Sequence, residues 1–257
     1  MNLRKLRDWL YRQWIEVRKP KRDTYDGVDP EGYYFIHDSI GDRRVFVSHP
    51  RRLGYYREGI EVRLANLARE YCVNDLVFTD SDRLVDVGAH SGELGLWAER
   101  FGLNYLGIEP DPVAFGALKR NLPGAFLEQV AVGAEDGSAE FSLATSTGDS
   151  SLAVGGRKTI SVKLEKLDDV VSRSFPGGKI DLLKIEAEGF EPEVLSGATE
   201  TLKRTSLLTV DAGEERLGES TAPACVNLLL DSGFKLRRVF LRRGIFLFSS
   251  DLSTGVL

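Results

Sequence analysis

Residues 3 to 18 place Leu3, Leu6, Leu10, Trp14 and Val17 at spacings of three and four. That period puts one apolar stripe on a helix whose other faces are mostly basic. Between 33 and 49, the β-rich runs YYFI and RRVFVSH flank Gly41-Asp42, the pattern of a hairpin. A helical stretch from about Glu58 to Tyr71 follows. From Arg83 onward the pattern becomes strand, glycine loop and helix, repeated. LVDVG reads as a strand, GELGLWAERF as a helix, NYLGIE as a second strand, PVAFGALKRNL as a helix starting after Asp111-Pro112, and FLEQVAV as a third strand. Residues 137–170 read as extra strands and loops. IDLLKIEAEG is a fourth strand, EPEVLSGATETLK a helix, SLLTVDAG a fifth strand and APACVNLLLDSG a helix. Two β-rich runs around Arg242-Arg243-Gly244 close the chain as an antiparallel edge hairpin. This alternation predicts an α/β fold: a mostly parallel sheet with helices on both faces. It divides the chain into a basic amphipathic helix (1–22), a small cap with hairpin and helix (23–80) and the α/β domain (81–257).

Charge sharpens that division. The net charge of −5 is uneven, because the first 22 residues carry +6 and the remaining chain −11. An acidic body argues against a nucleic-acid partner. The basic arm, with its Leu and Trp stripe, suits either peripheral contact with an anionic membrane or packing on the body or a second subunit, which leaves a homo-oligomer open. Cys72 and Cys225 stand outside any metal or redox spacing. No run reaches the roughly 18 apolar residues of a membrane span, and no signal-peptide pattern is present, so the expected location is cytoplasmic.

The chemistry concentrates in the loop Asp86-Val87-Gly88-Ala89-His90-Ser91-Gly92-Glu93. A dinucleotide fingerprint requires glycine where His90 stands, and Asp86 and Glu93 would repel a diphosphate. An NAD-dependent sugar oxidoreductase is therefore the weaker alternative. Carboxylates around a glycine loop suit S-adenosylmethionine, whose carboxylate could meet the backbone amides of Gly88 to Gly92 and whose cationic end could meet Asp86. Glu109, ending the second strand, is placed to accept from both ribose hydroxyls. Pro110, Gln129 and Ala131, at the following strand ends, complete the expected cofactor-binding set with Ala89 and Ser91.

The segments VDVGAHSGELG, GIEPDP, AVGAEDGSAEF and DLLKIEAEGFEPEVLSGA together resemble the FkbM-type methyltransferases over about residues 56–211. The resemblance implies a class I methyltransferase fold with a seven-stranded, Rossmann-like sheet, S-adenosylmethionine as donor, and a hydroxyl of a sugar, glycoconjugate or natural product as acceptor. His90 stands where the family usually has Asn, Glu186 where it has Asp, and Asp211 where Glu is common. A catalytically inactive scaffold that docks a membrane or partner is the non-enzymatic alternative.

Side chains alternate along a strand, so Lys184, Glu186 and Glu188 share one face of the fourth strand. A charged row in a sheet covered on both sides is either a structural ion pair or functional. Two functional readings stay open: Glu186 or Glu188 as general base with Lys184 beside them, or Mg²⁺ held by Glu186, Glu188 and Asp211. His37 in the hairpin and Asp149, Ser150 and Ser151 in the inserted loop are candidate acceptor contacts.

Overall fold

The computed structural model describes residues 24–38, 42–143, 159–216 and 218–252. The amphipathic segment 1–22 and the loop residues Asp149, Ser150 and Ser151 lie outside them.

The first strands are β1 (Thr24–Val28), β2 (Tyr34–Asp38) and β3 (Arg43–Val47), an antiparallel sheet in which the expected hairpin pairs β2 with β3. The sequence does not announce β1, since Asp26 and Gly27 disfavour strands. A Cβ at Gly27 would come within 2.4 Å of the Phe35 ring, so a larger residue there would displace that ring. A short 3-10 helix (Pro50–Tyr56) and helix α1 (Ile60–Glu70) follow. This N-terminal part shares a core with the body: Ile36, Val45, Val47 and Tyr56 pack in one cluster with Leu84, Leu94 and Trp97. Asn121 ties the two polar seams, accepting from the Phe46 amide at 2.8 Å and donating to the Phe46 and Ser91 carbonyls at 2.8 and 2.6 Å.

The body begins with β4 (Arg83–Val87), α2 (Glu93–Ala98), β5 (Asn104–Ile108), α3 (Pro112–Asn121) and β6 (Phe126–Glu128). Asp111 caps α3, accepting from the amides of Val113 and Ala114 at 2.8 and 3.2 Å, with Pro112 in the first turn. FLEQVAV is not one strand. After β6 the chain changes sheet at Gln129–Val130, and β7 (Ala131–Gly133) pairs with β9 (Thr159–Lys166), itself paired with β8 (Gly137–Ser142). Helix α4 (Leu167–Ser174) leads to β10 (Ile180–Ile185).

The helix expected over EPEVLSGATETLK is two helices, α5 (Glu191–Ser196) and α6 (Thr199–Lys203). The Gly197 carbonyl accepts from the Asp168 amide at 3.0 Å, and the Asp168 carboxylate caps the amides of Glu200 and Thr201 at 2.9 and 2.7 Å, so no continuous helical ladder passes through. The chain ends with β11 (Thr205–Asp211), α7 (Ala222–Asp231), β12 (Lys235–Phe240) and β13 (Ile245–Ser249).

The main sheet has seven strands in the order β12-β13-β11-β10-β4-β5-β6. β13 is antiparallel to both neighbours, and the other pairings are parallel. The order reverses between β4 and β10, where Lys184 lies opposite Asp86. Ligands of open α/β sheets bind beyond the carboxyl ends of the strands at such a switch point.

Candidate active site

The loop leaving β4 is built by backbone constraint. Gly88 (φ +71°) is indispensable, since a Cβ would lie 1.9 Å from the Glu186 carbonyl oxygen at the end of β10. His90 adopts φ +50° without being glycine, a conformation that needs support. Its Nε2 and Nδ1 lie 3.0 and 2.9 Å from the hydroxyls of Ser48 and Ser91, and its amide donates to Glu109 at 2.8 Å. The imidazole therefore shapes the turn. The other Glu109 oxygen accepts from the Asp111 amide at 2.8 Å. Burial raises the Glu109 carboxyl to about 7 despite these two donors. Asp86, fully buried, is likewise raised by desolvation, against the pull of Lys184 at 3.0 Å and of the Tyr105 hydroxyl, which donates to it at 2.7 Å.

Past β10 the charges form a chain. The Lys184 ammonium donates to the carbonyls of Val87 and Gly88 at 3.0 and 2.8 Å and lies 3.3 Å from Glu186. Burial alone would lower its pKa, but the carboxylates of Asp86 and Glu186 hold it above its ordinary value. Glu186 accepts from the Tyr71 hydroxyl and from Arg243, which also binds Asp211 and, at 3.1 Å, Glu70. Desolvation of Glu186 is outweighed by the charges of Arg243 and Lys184, so its carboxyl lies well below the usual range. Asp211 goes the other way, to about 7, through burial and the charge of Glu186. Glu215 rises to about 10 through burial and the charges of Glu188 and Asp211, and its Oε2 is buried without a hydrogen-bond partner.

A cleft of about 1450 Å³ opens over these groups. Of the residues singled out from sequence, Asp86, Gly88, Ala89, His90, Glu109, Pro110 and Ala131 line it on one side of the switch point, and Lys184, Glu186 and Glu188 on the other. Several expectations need revision. Glu93 also borders the cleft, yet its carboxylate is taken by Arg63, at 2.9 and 2.7 Å, and by the Tyr56 hydroxyl at 2.6 Å. Ser91 is buried under Asn121, Gly92 packs on Leu118, and Gln129 points to solvent outside the cleft. His37 pairs with Asp42 at 2.9 Å, also outside it. The expected cradle of loop amides is not open either: those of Gly88 and Ala89 both donate to the Ile108 carbonyl at 3.0 Å, that of His90 to Glu109 and that of Gly92 to the Ala89 carbonyl at 2.8 Å.

The Mg²⁺ triad does not fit. The guanidinium of Arg243 stands between Glu186 and Asp211, and the strand ends before Glu188, whose backbone takes φ +50° and so leaves the strand's alternation. Among the described residues no group of three or more His, Cys, Asp or Glu side chains is arranged to hold a metal ion. Tyr71, Tyr105, Arg243 and Glu215 are site residues that sequence reasoning missed. The turn Arg242-Arg243-Gly244 carried the one available signal, a charged pair at the carboxyl end of the sheet.

The strand order, with its antiparallel seventh strand, and a carboxylate-lined cleft at the switch point define a class I methyltransferase fold. Residues 86–236 match the model of the Methyltransferase FkbM domain, more than half of the chain, and the protein belongs to that family. Its relatives include methyltransferase sdnD of Sordaria araneosa, 26% identical over 229 residues, 73% of this chain and 88% of that protein. Another is the 2-O-methyltransferase NoeI of Sinorhizobium fredii, 25% identical over 224 residues, 77% of this chain and 90% of that one. A TehB-like SAM-dependent methyltransferase from Corynebacterium glutamicum is similar in structure, with 14% identity, coverage of 75% of this chain and 88% of that one, and a TM-score of 0.41. No helix among the described residues is long and apolar enough to cross a membrane.

Proposed function

We propose that the protein is an S-adenosylmethionine-dependent O-methyltransferase acting on a hydroxyl of a saccharide or similarly polar natural product. The observation that carries this reading is the pair Asp86 and Glu109. These are buried carboxylates with raised pKa values at the ends of adjacent strands, facing the cleft across the glycine loop. Raised carboxyls of this kind suit a ligand that brings positive charge and hydroxyl donors. Asp86 would face the ammonium or sulfonium end, and Glu109 retains lone pairs for ribose hydroxyls beside its two amide donors. When bound, the cofactor supplies a methyl carbon on a sulfonium, which the acceptor oxygen takes as the carbon–sulfur bond breaks.

The chain's own residues supply position and the proton path. Glu186, held ionised by Arg243, Lys184 and Tyr71, is a weak base and acts as an anchor for the floor. Glu188 borders the same cleft beyond the strand end and is assigned as the base that receives the acceptor proton. Glu215 stays protonated at neutral pH and can donate to an acceptor oxygen. A cleft lined by carboxylates and arginines favours an acceptor rich in hydroxyls over an apolar one. The relative named as a 2-O-methyltransferase supports oxygen as the methylated atom.

Calorimetric titration with S-adenosylhomocysteine tests the donor half of the reading, with one site expected and the affinity sharply reduced in Asp86→Asn. Absence of binding would favour the inactive scaffold. Transfer of labelled methyl to a saccharide panel, with the label stable to alkali as an ether is, tests the acceptor half.

A further inference from the structure

Lys184 has more acceptors around it than hydrogens to give. An ammonium carries three hydrogens, and four oxygens stand close to this one: the carbonyls of Gly88 and Val87 at 2.8 and 3.0 Å, Asp86 Oδ1 at 3.0 Å and Glu186 Oε2 at 3.3 Å. The first three belong to the end of β4 and the glycine loop, the side of the cleft assigned to the methyl donor. Glu186, just past the end of β10, draws the ammonium away from them.

Tyr71 bears on this competition. It stands at the C-terminal end of α1, and its carbonyl accepts from the Thr209 hydroxyl of β11 at 2.9 Å, which ties it to the main sheet. Its hydroxyl donates to Glu186 Oε2, the same oxygen that faces Lys184, while Arg243 takes Oε1. Its ring meets both cations, 5.4 Å from the Lys184 nitrogen and 5.8 Å from the central carbon of the Arg243 guanidinium. A buried tyrosine hydroxyl usually finds some partner, but this one takes the oxygen that would otherwise pull the lysine off the loop. With that hydrogen on Oε2, Glu186 attracts the ammonium less, and Lys184 stays with Asp86 and the two carbonyls.

We propose that Tyr71 is a positioning residue for the methyl donor: by occupying Glu186 Oε2 it keeps Lys184 on the glycine loop and beside Asp86, so a residue of the N-terminal part sets the donor site from across the switch point. The proposal rests on the S-adenosylmethionine reading of that site. Without the hydroxyl, the ammonium moves towards Glu186 and releases the loop carbonyls. Asp86, raised by burial and held down chiefly by the charge of Lys184, then takes up a proton and no longer pairs with the ammonium of the donor.

The test titrates S-adenosylhomocysteine calorimetrically into wild type, Y71F, Y71F/E186Q and T209V, with a thermal melt of each. Y71F keeps the ring and is expected to bind about tenfold more weakly. Y71F/E186Q removes the charge that draws the lysine away and is expected to regain most of that affinity, whereas a hydroxyl that only held the fold together would leave the double variant the weakest binder. T209V loosens the same residue without touching its hydroxyl, and is expected to melt lower while binding as wild type does. Equal affinity in Y71F and wild type, or equal losses in Y71F and T209V, would overturn the proposal. So would weak binding by Y71F/E186Q, which decides the matter even if Y71F alone unfolds. Failure of the wild type to bind S-adenosylhomocysteine would instead overturn the cofactor reading beneath it.

Discussion

Arg243 reaches from the β12–β13 turn to bond Glu186 at the end of β10, and through the same nitrogen it binds Asp211. One guanidinium thereby holds the buried Asp211 and the partly exposed Glu186 together, on two of the three carboxylates that the Mg²⁺ alternative required. Removing it strands both charges. Arg243→Met is expected to destabilise the protein by about 3 kcal/mol, the scale for breaking a buried pair from one side, measured by urea denaturation at neutral pH. Adding Glu186→Gln to that variant should recover part of the loss. If Arg243→Met were as stable as wild type, the guanidinium would not be the element that neutralises the pair.

A second pair sets the acid limit. Glu93, bound by Arg63 and Tyr56, has its carboxyl lowered from 4.5 to about 2, the charge and hydrogen bonds of Arg63 outweighing desolvation. Folding depresses this pKa, so the pair stabilises above the unfolded value and that contribution disappears as pH falls from about 4.5 towards 2. The contribution at neutral pH is on the order of 3 kcal/mol. Glu93→Gln should lower stability at pH 7 and flatten its fall between pH 5 and 3. Parallel stability–pH curves for variant and wild type would contradict the assignment.

The centre of the main sheet was legible because β4, β5, β10 and β11 are largely apolar runs each followed by a helix, and because Lys184, Glu186 and Asp86 stand at strand ends that chain order alone aligns. The site's partners were not. Tyr71 lies 115 residues before Glu186, and Arg243 57 residues after it, so no local spacing connects them. Glu93 misled for the same reason: a carboxylate beside a glycine loop looks free until Arg63, 30 residues earlier, is brought onto it. FLEQVAV misled because an apolar run does not say where a chain leaves one sheet for another, and EPEVLSGATETLK because the cap that divides it comes from Asp168.

Glu109 links cofactor binding to pH. Its carboxyl is raised to about 7 by burial, and ribose hydroxyls donate only to oxygens that can accept, which favours the ionised form. Binding should therefore release a proton below that pH. The affinity for S-adenosylhomocysteine is expected to rise as pH increases to about 7 and to level off above it, with Glu109→Gln both weaker and free of the slope. Calorimetry in buffers of different ionisation enthalpy would count the proton. Equal affinity at pH 5.5 and 8 would show that Glu109 does not meet the ribose.

Glu186 and Glu188 separate anchor from base. Both line the cleft, but Glu186 is partly buried among three paired donors, whereas Glu188 lies beyond the strand end. Removing a general base costs typically about a hundredfold or more in rate, and a small carboxylate in solution can replace a base whose site is open. Glu188→Ala is expected to lose kcat by that order, with KM for the cofactor little changed, and to regain part of the rate with added formate. Glu186→Ala should lose rate together with thermal stability, and formate should not restore it, because Arg243 and Lys184 are then left unneutralised within the fold. Formate rescue of Glu186→Ala but not of Glu188→Ala would exchange the two roles.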